Sequence, residues 1–377
     1  MSEYTTSTEF IDLRSQLNDI RAGIDTAISN VLDHGHFIMG PEVTELETEL
    51  SNYANCKHVI TCANGTDALT CVLMSWGLQA GDVVFIPDFT YVATAESVAQ
   101  LGATPFFIDI QKDSFNIDLD SLKQAIFDIR KSNLNPKAII SVDLFGMPAE
   151  LDELMDFALE NNLLLLSDAA QSFGSKYNDK FACNFGHAAT TSFFPAKPFG
   201  CYGDGGAIFT NNSEAAELLR SIRLHGKGSE KYDNIRIGIN SRLDSLQAAV
   251  LLEKIKIFSQ EIIRRNEIAI QYNEQLNEFV EVPKLFKNKV STWAQYTIKT
   301  IDQLGLKEFL NNNGIPSVIY YPKTLSQQGG YCHYPKVSSG TVNSREASKT
   351  VLSLPMHPYL SDESVAFISS KVKDYLS

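Results

Sequence analysis

Lys197 is the residue whose surroundings most clearly indicate chemistry, because it lies in an apolar and aromatic stretch between Phe194 and Phe199 and directly precedes Pro198. Most lysines are solvated surface charges. In apolar surroundings, desolvation lowers the pKa of the amine and makes its neutral, nucleophilic form accessible. The sequence therefore predicts that this amine can add to a carbonyl carbon.

A carboxylate forms the second candidate position. Asp168 directly follows the apolar run Leu163–Ser167, which predicts a buried strand. In doubly wound sheets, ligands bind beyond the carboxyl ends of the strands, so Asp168 is expected to face a cleft. A helix cap or an Asx turn is the structural alternative for an isolated aspartate.

The third candidate is the turn Ala63–Leu69, which follows a predicted strand and opens a helix. Unpaired backbone N–H groups and the helix dipole make such a turn an anion site, to which the Thr66 hydroxyl adds a donor. A plain N-cap by Thr66 or Asp67 is the alternative.

Together, the anion site, the strand-end carboxylate and the apolar lysine match what pyridoxal 5'-phosphate requires. The three features would bind its phosphate, its pyridinium nitrogen and its aldehyde, respectively. The glycine-rich segment Gly200–Gly206 precedes a predicted strand instead of following one, which excludes a dinucleotide-binding fingerprint there.

Strand-like and helix-like segments alternate from about residue 58 to 210, which predicts a mostly parallel sheet covered by helices. Several strand segments are continuously apolar, as expected for strands buried on both faces of an α/β core. The predicted strands are His58–Cys62, Asp82–Ile86, Thr104–Ile108, Lys137–Val142, Leu163–Ser167 and Ala207–Thr210.

Outside this core, Pro41 predicts the first turn of a helix, and a helical pattern without Pro or Gly runs from Leu246 to Tyr272. Beyond it, strand-like and helix-like segments mix, which predicts a small α+β region. We therefore expect a large domain over residues 1–250 and a small one over 251–377. The mixed segments are Gln295–Lys299, Gln303–Asn311, Ser317–Tyr321 and Glu363–Leu376.

Composition excludes several classes of protein. The 377 residues include 44% hydrophobic and 20% charged ones, ordinary values for a globular chain. A formal net charge of −13 disfavours nucleic acid or an anionic membrane as partner. No apolar run approaches the ~18 residues of a membrane span, and the six cysteines lack metal-site spacing. We expect a cytoplasmic protein without a metal.

Five ordered segments make the chain resemble the DegT/DnrJ/EryC1/StrS sugar aminotransferases, which are pyridoxal-phosphate enzymes of fold type I. The similarity extends from Phe10 to Tyr359. The segments are Asn64–Leu69, Phe89–Glu96, Asp168–Phe173, Thr191–Gly206 and Gly238–Ala249.

The resemblance implies a large domain with a seven-stranded, mostly parallel sheet between helices, and a small C-terminal domain. It implies that Lys197 forms a Schiff base with the cofactor and that Asp168 pairs with the pyridinium nitrogen. Gln171 would lie near the ring hydroxyl, and Tyr91 would stack on the ring.

The resemblance also implies a phosphate cup and a homodimer with shared sites. The cup would consist of Gly65, Thr66 and Ser192, together with Asn240 of the partner subunit. Substrate contacts would come from Arg242, His225 and Tyr321. From the residue pattern alone, Asn240 and Arg242 would be read as a solvated loop before a long helix.

Within the family, the sequence is most similar to enzymes that aminate position 3 of a UDP-linked 2-acetamido-3-keto sugar, notably the 3-oxo-glucuronate. The segments His34–Val43, Phe193–Asp204 and Leu354–Tyr359 carry this similarity. Three residues depart from the usual pattern without affecting the Schiff-base chemistry: Ala196 replaces Ser, Lys227 replaces Gln and Tyr320 replaces His.

The resulting hypothesis is amino transfer from L-glutamate to such a sugar, for a surface polysaccharide such as the O-antigen of lipopolysaccharide. Alternatives are a dTDP-3-keto-6-deoxyhexose or a 4-keto sugar as acceptor, a non-catalytic regulatory protein, and a carbon–sulfur lyase of the same fold. A sugar dehydratase would carry His where this chain has Lys197.

Overall fold

In a computed structural model of the chain, which describes residues 8–131, 134–230 and 232–377, the core is a seven-stranded sheet. Its strand order is β1-β9-β8-β5-β4-β2-β3, and only β9 runs antiparallel to its neighbours. The strands are β1 His58–Cys62, β2 Asp82–Pro87, β3 Thr104–Ile108, β4 Asn135–Val142, β5 Leu164–Asp168, β8 Ala188–Ser192 and β9 Gly206–Thr210. The mostly parallel α/β architecture is as predicted.

Burial on both faces explains the apolar strands of this sheet: every residue of β2 is buried, and β5 is buried from Leu165 onward. The sequence reasoning missed β8, because its residues Ala-Ala-Thr-Thr-Ser lack the large apolar side chains that mark a buried strand. This strand is nevertheless central, since it joins β5 to β9 and ends immediately before the loop that carries Lys197.

Helices cover both faces of the sheet. The predicted helix at Pro41 forms, with proline in its first turn. The predicted long helical pattern is one continuous helix. The helices are α1 Leu13–His34, α2 Pro41–Ala54, α3 Gly65–Ser75, α4 Ala93–Ala99, α5 Leu119–Ile129, α6 Leu151–Glu160, α7 Ser213–Ile222, α8 Ser245–Leu276, α9 Gln303–Asn312, α10 Val342–Thr350 and α11 Asp362–Leu376.

The C-terminal region packs around its own apolar cluster, which includes Tyr272 of α8, Tyr296, Leu310 and Ile368. Strands β11 Tyr296–Lys299 and β12 Val351–Leu354 pair antiparallel there. A separate three-stranded antiparallel sheet has the order β10-β6-β7. Its strands are β6 Lys176–Tyr177, β7 Lys180–Phe181 and β10 Lys289–Val290. The region mixes helices and strands as expected.

One predicted element is wrong. Over Ser317–Tyr321 the structure has no strand and only a single bridge between Val318 and Ser353. Pro316 and Pro322 flank this segment, and proline cannot donate to a ladder of hydrogen bonds. The apolar residues Ile319, Tyr320 and Tyr321 instead pack against the core of the large sheet.

Helix α8 passes through the predicted domain boundary at residue 250. Its first half packs on α1 and α2, and its second half lies in the C-terminal apolar cluster. The division into residues 1–250 and 251–377 stays a prediction.

Across the described residues, no helix combines the length and the apolar character needed to cross a membrane. In the same part of the chain, no group of three or more His, Cys, Asp or Glu side chains is placed to hold a metal ion.

Candidate active site

Asp168 and Lys197 both lie at the carboxyl edge of the sheet, near enough to influence each other electrostatically. Strand β5 ends on Asp168, which is 6% exposed, and Lys197 lies half-buried in the loop between β8 and β9. Burial raises the pKa of Asp168 to about 6, although the Ala170 amide and the Lys197 ammonium oppose this rise. Burial also lowers the pKa of Lys197, against the attraction of Asp168. The pair therefore combines a buried carboxyl group with an amine that loses its proton more readily than a surface lysine.

The hydrogen bonds of Asp168 leave one oxygen available. Its Oδ1 accepts from the Ala170 amide at 3.0 Å. Its Oδ2 has no hydrogen-bond donor among the residues that the structure describes. A carboxylate oxygen without a protein donor, on a residue that is itself buried, suits the protonated ring nitrogen of a ligand.

The first turn of α3 forms a cup with the end of β8. Asn64 caps the helix, its side-chain oxygen accepting from the Asp67 amide at 2.8 Å. The Gly65 and Thr66 amides, in the first turn, have no acceptor within the described part of the chain. A Cβ on Gly65 would lie 2.8 Å from the Ser192 Cβ, so only glycine leaves this space open. Free amides at a helix N-terminus beside a serine can hold a phosphate.

Gln171 is fixed from two sides next to the Asp168–Lys197 pair. Its side-chain oxygen accepts from the Phe145 amide at 2.6 Å, and its carbonyl accepts from the Thr292 hydroxyl at 2.6 Å. Its amide nitrogen donates to the Tyr321 hydroxyl at 3.4 Å. Burial raises the pKa of Tyr321, so this phenol stays neutral. The Tyr91 ring, 56% exposed, lies with its centroid 6.3 Å from that of Tyr321.

Sequence reasoning missed Asp143, a second buried carboxyl group beside Asp168. Its amide donates to the Asp168 carbonyl at 3.1 Å, and its Oδ2 accepts from the Ser172 hydroxyl at 2.7 Å. Burial, with Asp168 nearby, raises the pKa of Asp143 to about 7. The signal was present in the sequence, because Asp143 follows the end of β4 much as Asp168 ends β5.

Asn240, Arg242 and His225 lie in the segment between α7 and α8. Asn240 and His225 are exposed and Arg242 is half-buried. None of the three side chains makes a hydrogen bond or an ion pair with a described residue. Their segment is tied to the end of β1, since the Ser241 hydroxyl accepts from the Ala63 amide at 3.1 Å.

The structure thus brings together Asp168 with Lys197, Gln171 with Tyr321, and Gly65 with Ser192. These groups fit pyridoxal phosphate: a cradle that a Cβ would fill, a carboxylate oxygen without a donor on the buried Asp168, and an amine of lowered pKa. The roles of the individual residues, including those of Asn240, Arg242 and His225, stay predictions.

Comparison with known proteins gives full-length matches. The family model of the DegT/DnrJ/EryC1/StrS aminotransferases matches residues 18–373. A UDP-2-acetamido-2-deoxy-3-oxo-D-glucuronate aminotransferase from Pseudomonas aeruginosa is 44% identical, with 96% of this chain and 98% of that protein aligned. A pleiotropic regulatory protein from Geobacillus stearothermophilus is 36% identical, with 97% of both chains aligned.

The fold agrees with a solved structure from the same family. The crystal structure of a DegT/DnrJ/EryC1/StrS aminotransferase from Brucella abortus superposes with a TM-score of 0.97 at 48% identity, covering 98% of this chain and 99% of that one. The chain therefore belongs to the DegT/DnrJ/EryC1/StrS aminotransferase family, which confirms the predicted fold, the enzyme class and pyridoxal phosphate as cofactor.

Proposed function

We propose that this enzyme moves an amino group from L-glutamate to the 3-keto position of a UDP-linked 2-acetamido sugar, with the 3-oxo-glucuronate as first candidate. The observation that carries the proposal is the 44% identity, over nearly the whole chain, to an aminotransferase of that substrate. The electrostatic coupling of Asp168 and Lys197, with the cup at the start of α3, supports the chemistry that such a transfer would need.

Lys197 would hold the cofactor and move the proton. When bound, pyridoxal phosphate supplies an electron sink for the carbanion formed at the carbon that gives or receives the amino group. The lowered pKa of Lys197 allows its Nζ to take a proton from the α-carbon of glutamate and to return one to the sugar carbon.

Asp168, Gln171 and the cup would orient the cofactor. The free Oδ2 of Asp168 would accept from the ring nitrogen and keep it protonated. Gln171, held by the Phe145 amide, would lie at the ring hydroxyl, and Tyr91 would cover one face of the ring. The Gly65 and Thr66 amides, with Ser192, would bind the phosphate.

The second half of the site would come from a second copy of the chain. The exposed side chains of Phe37, Ile38, Ile235 and Ile237 are 46%, 47%, 56% and 87% accessible, which supports burial in a homodimer. Asn240 of the partner subunit would complete the phosphate cup. The partner's Arg242 would face the anionic groups of the substrate, with His225 and Tyr321 as further contacts.

The product would be an activated amino sugar, the form in which sugars are supplied for surface polysaccharides such as an O-antigen. Its nucleotide diphosphate would be bound by local donors, since the protein as a whole carries a formal charge of −13. We place the reaction in the cytoplasm.

The test is the visible spectrum of the purified protein with pyridoxal phosphate, before and after L-glutamate. We expect the cofactor band to disappear as 2-oxoglutarate forms. Lys197→Ala should hold the cofactor without the lysine-bound band and make no sustained turnover, whereas Lys256→Ala, an exposed lysine of α8, should behave as wild type. Multiple turnovers by Lys197→Ala would refute the assignment.

The acceptor is identified in a second step. The enzyme that has already reacted with L-glutamate, and so carries the amino group, is offered a panel of keto sugars. We expect return of the original band with the UDP-linked 3-keto sugar and none with dTDP-linked 3-keto-6-deoxy or 4-keto sugars. Reaction only with a dTDP sugar would replace the substrate and keep the enzyme class. Cofactor binding with no reaction toward any amino donor would favour a regulatory role, as the name of the relative from Geobacillus stearothermophilus implies.

A further inference from the structure

The loop that carries Lys197 closes on itself between β8 and β9. The Lys197 amide donates to the Phe194 carbonyl at 2.8 Å, and the Cys201 amide donates to the Phe193 carbonyl at 2.7 Å. A Cβ on Gly200 would lie 2.5 Å from the Phe194 carbonyl oxygen, so the two ends of the loop are pressed together. The position of Lys197 therefore depends on what holds this loop against the rest of the molecule.

Two side chains of α8 hold it. The Gln247 side-chain oxygen accepts from the Tyr202 amide at 2.9 Å. The Lys254 ammonium donates to the Gly200 carbonyl at 2.6 Å and lies 4.4 Å from the centre of the Tyr202 ring. Lys254 is only 2% exposed. Burying a lysine is costly unless its ammonium is paired or hydrogen-bonded, and here the bond goes to the Gly200 carbonyl.

The charged and titratable groups around Lys254 are few. Burial lowers its pKa to about 8, while Glu261 on the same helix and Cys201 in the loop partly restore it. The Tyr202 ring faces the ammonium, and the charge of Arg21 in α1 also influences Tyr202. Asp204 lies next to Cys201. Among these groups, none forms an ion pair with Lys254 in the described part of the chain, so its hydrogen bond goes to the loop carbonyl.

We propose that Lys254 is a positioning residue for Lys197: its buried ammonium, bonded to the Gly200 carbonyl, holds the Lys197 loop against α8. This inference rests on the proposed role of Lys197 as the cofactor lysine. The bond is charge-assisted, which makes it shorter and stronger than a bond from a neutral amine. Loss of it would let the loop move, expose Lys197 to water and relax its lowered pKa toward the ordinary value.

The test compares Lys254→Met with two matched variants. Lys256→Met removes an exposed lysine from the same helix, and Lys289→Met removes another buried lysine, which donates to the Pro148 carbonyl at 3.0 Å. In each apoprotein, the rate at which fluorodinitrobenzene labels Lys197 is followed against pH by peptide mass spectrometry. The dissociation constant of pyridoxal phosphate, kcat and the thermal midpoint are measured alongside.

We expect Lys254→Met to raise the apparent pKa of Lys197, to weaken cofactor binding about tenfold and to lower kcat by about the same factor. If Lys254→Met and Lys289→Met have the same thermal midpoint, these changes should be larger in Lys254→Met. Lys256→Met should match wild type. Unchanged labelling and binding in Lys254→Met would overturn the proposal. So would losses that Lys289→Met reproduces, since they would show a general effect of removing a buried lysine.

Wild-type protein supplies a second measurement if Lys254→Met does not fold. Because burial lowers the pKa of Lys254 to about 8, the rate of cofactor release should rise between pH 7 and pH 9. A flat rate over that range would overturn the proposal. Reduction of the wild-type holoenzyme with borohydride, followed by peptide mapping, separates the two proposals. Cofactor on a different lysine refutes the proposed role of Lys197, on which this inference rests, whereas cofactor on Lys197 together with an unaffected Lys254→Met removes only this inference.

Discussion

At the scale of the residue, burial acts in opposite senses on Asp168 and Lys197. It raises the pKa of the carboxyl group to about 6 and lowers that of the amine, so each group is brought toward its neutral form in the protein without ligand. A cationic ring nitrogen placed beside Asp168 would favour the carboxylate again. The site is therefore electrostatically incomplete until such a group binds.

Replacing Asp168 by Asn should lower kcat about a hundredfold or more, the scale seen when one group that stabilises developing charge is removed. The isosteric amide keeps the space filled but cannot hold the ring nitrogen protonated. The measurement is kcat with L-glutamate as donor. A variant with more than half of the wild-type kcat would exclude Asp168 as the partner of the ring nitrogen.

The raised pKa of Asp168 also predicts that the stability of the apoprotein depends on pH. Because the folded-state pKa of Asp168 lies near 6 and the ordinary value is 3.8, the native apoprotein binds more protons than the unfolded chain between these values. The free energy of unfolding of wild type, measured relative to Asp168→Asn by urea denaturation, should therefore fall from pH 4 to pH 6. A rise over that interval would contradict the assigned environment.

At the scale of the element, aspartates that follow the ends of strands also bind C-terminal segments of the chain. Asp88, immediately after β2, accepts from the Ser326 amide at 2.6 Å and from the Thr341 hydroxyl at 2.6 Å. Asp109, immediately after β3, accepts from the Ser344 amide at 2.9 Å at the start of α10. The carboxyl edge of the sheet thus holds both the site and the residues to which C-terminal segments bind.

Asp109→Ala should therefore destabilise the protein by about 1–3 kcal/mol, since buried amides at the start of α10 lose their acceptor. As a control, Asp113→Ala removes an exposed aspartate whose ion pair with Lys284 spans 3.3 Å, and it should cost about 0–1 kcal/mol. Urea unfolding measures both. Equal losses in the two variants would show that the Asp109 contacts add nothing beyond a surface charge.

At the scale of the whole molecule, the proposed sharing of sites between subunits has a direct test. Lys197→Ala and Asn240→Asp, each inactive alone, would regain activity when co-expressed with different tags, because a mixed dimer contains one site with both native residues. Random assembly gives about a quarter of wild-type activity. Lys197→Ala with Asp168→Asn is the matched control and should regain none, since both residues act in one subunit. Equal recovery in both pairs, or none in either, would reject a site shared through Asn240.

The sequence predicted those parts of the protein that depend on local pattern. The segments at β1, β2, β3 and β4 could be predicted as strands because strands buried on both faces are usually rich in apolar residues. The order of Asn64–Leu69, Asp168–Phe173 and Thr191–Gly206 along the chain identified the family and the cofactor. Strand β8 was not predicted, because its alanines, threonines and serine do not form a run of large apolar residues.

The tertiary structure alone decided which distant side chains meet. Lys254 and Gly200 come together only because α8 packs against the loop between β8 and β9, and nothing in the spacing of these residues predicts it. The hydrogen bonds that the Ser326 hydroxyl donates to Asp88 and that the Thr292 hydroxyl donates to Gln171 also join distant segments. Local sequence determines helices, strands and turns through short-range sterics and burial, whereas contacts between distant segments depend on how complete elements pack.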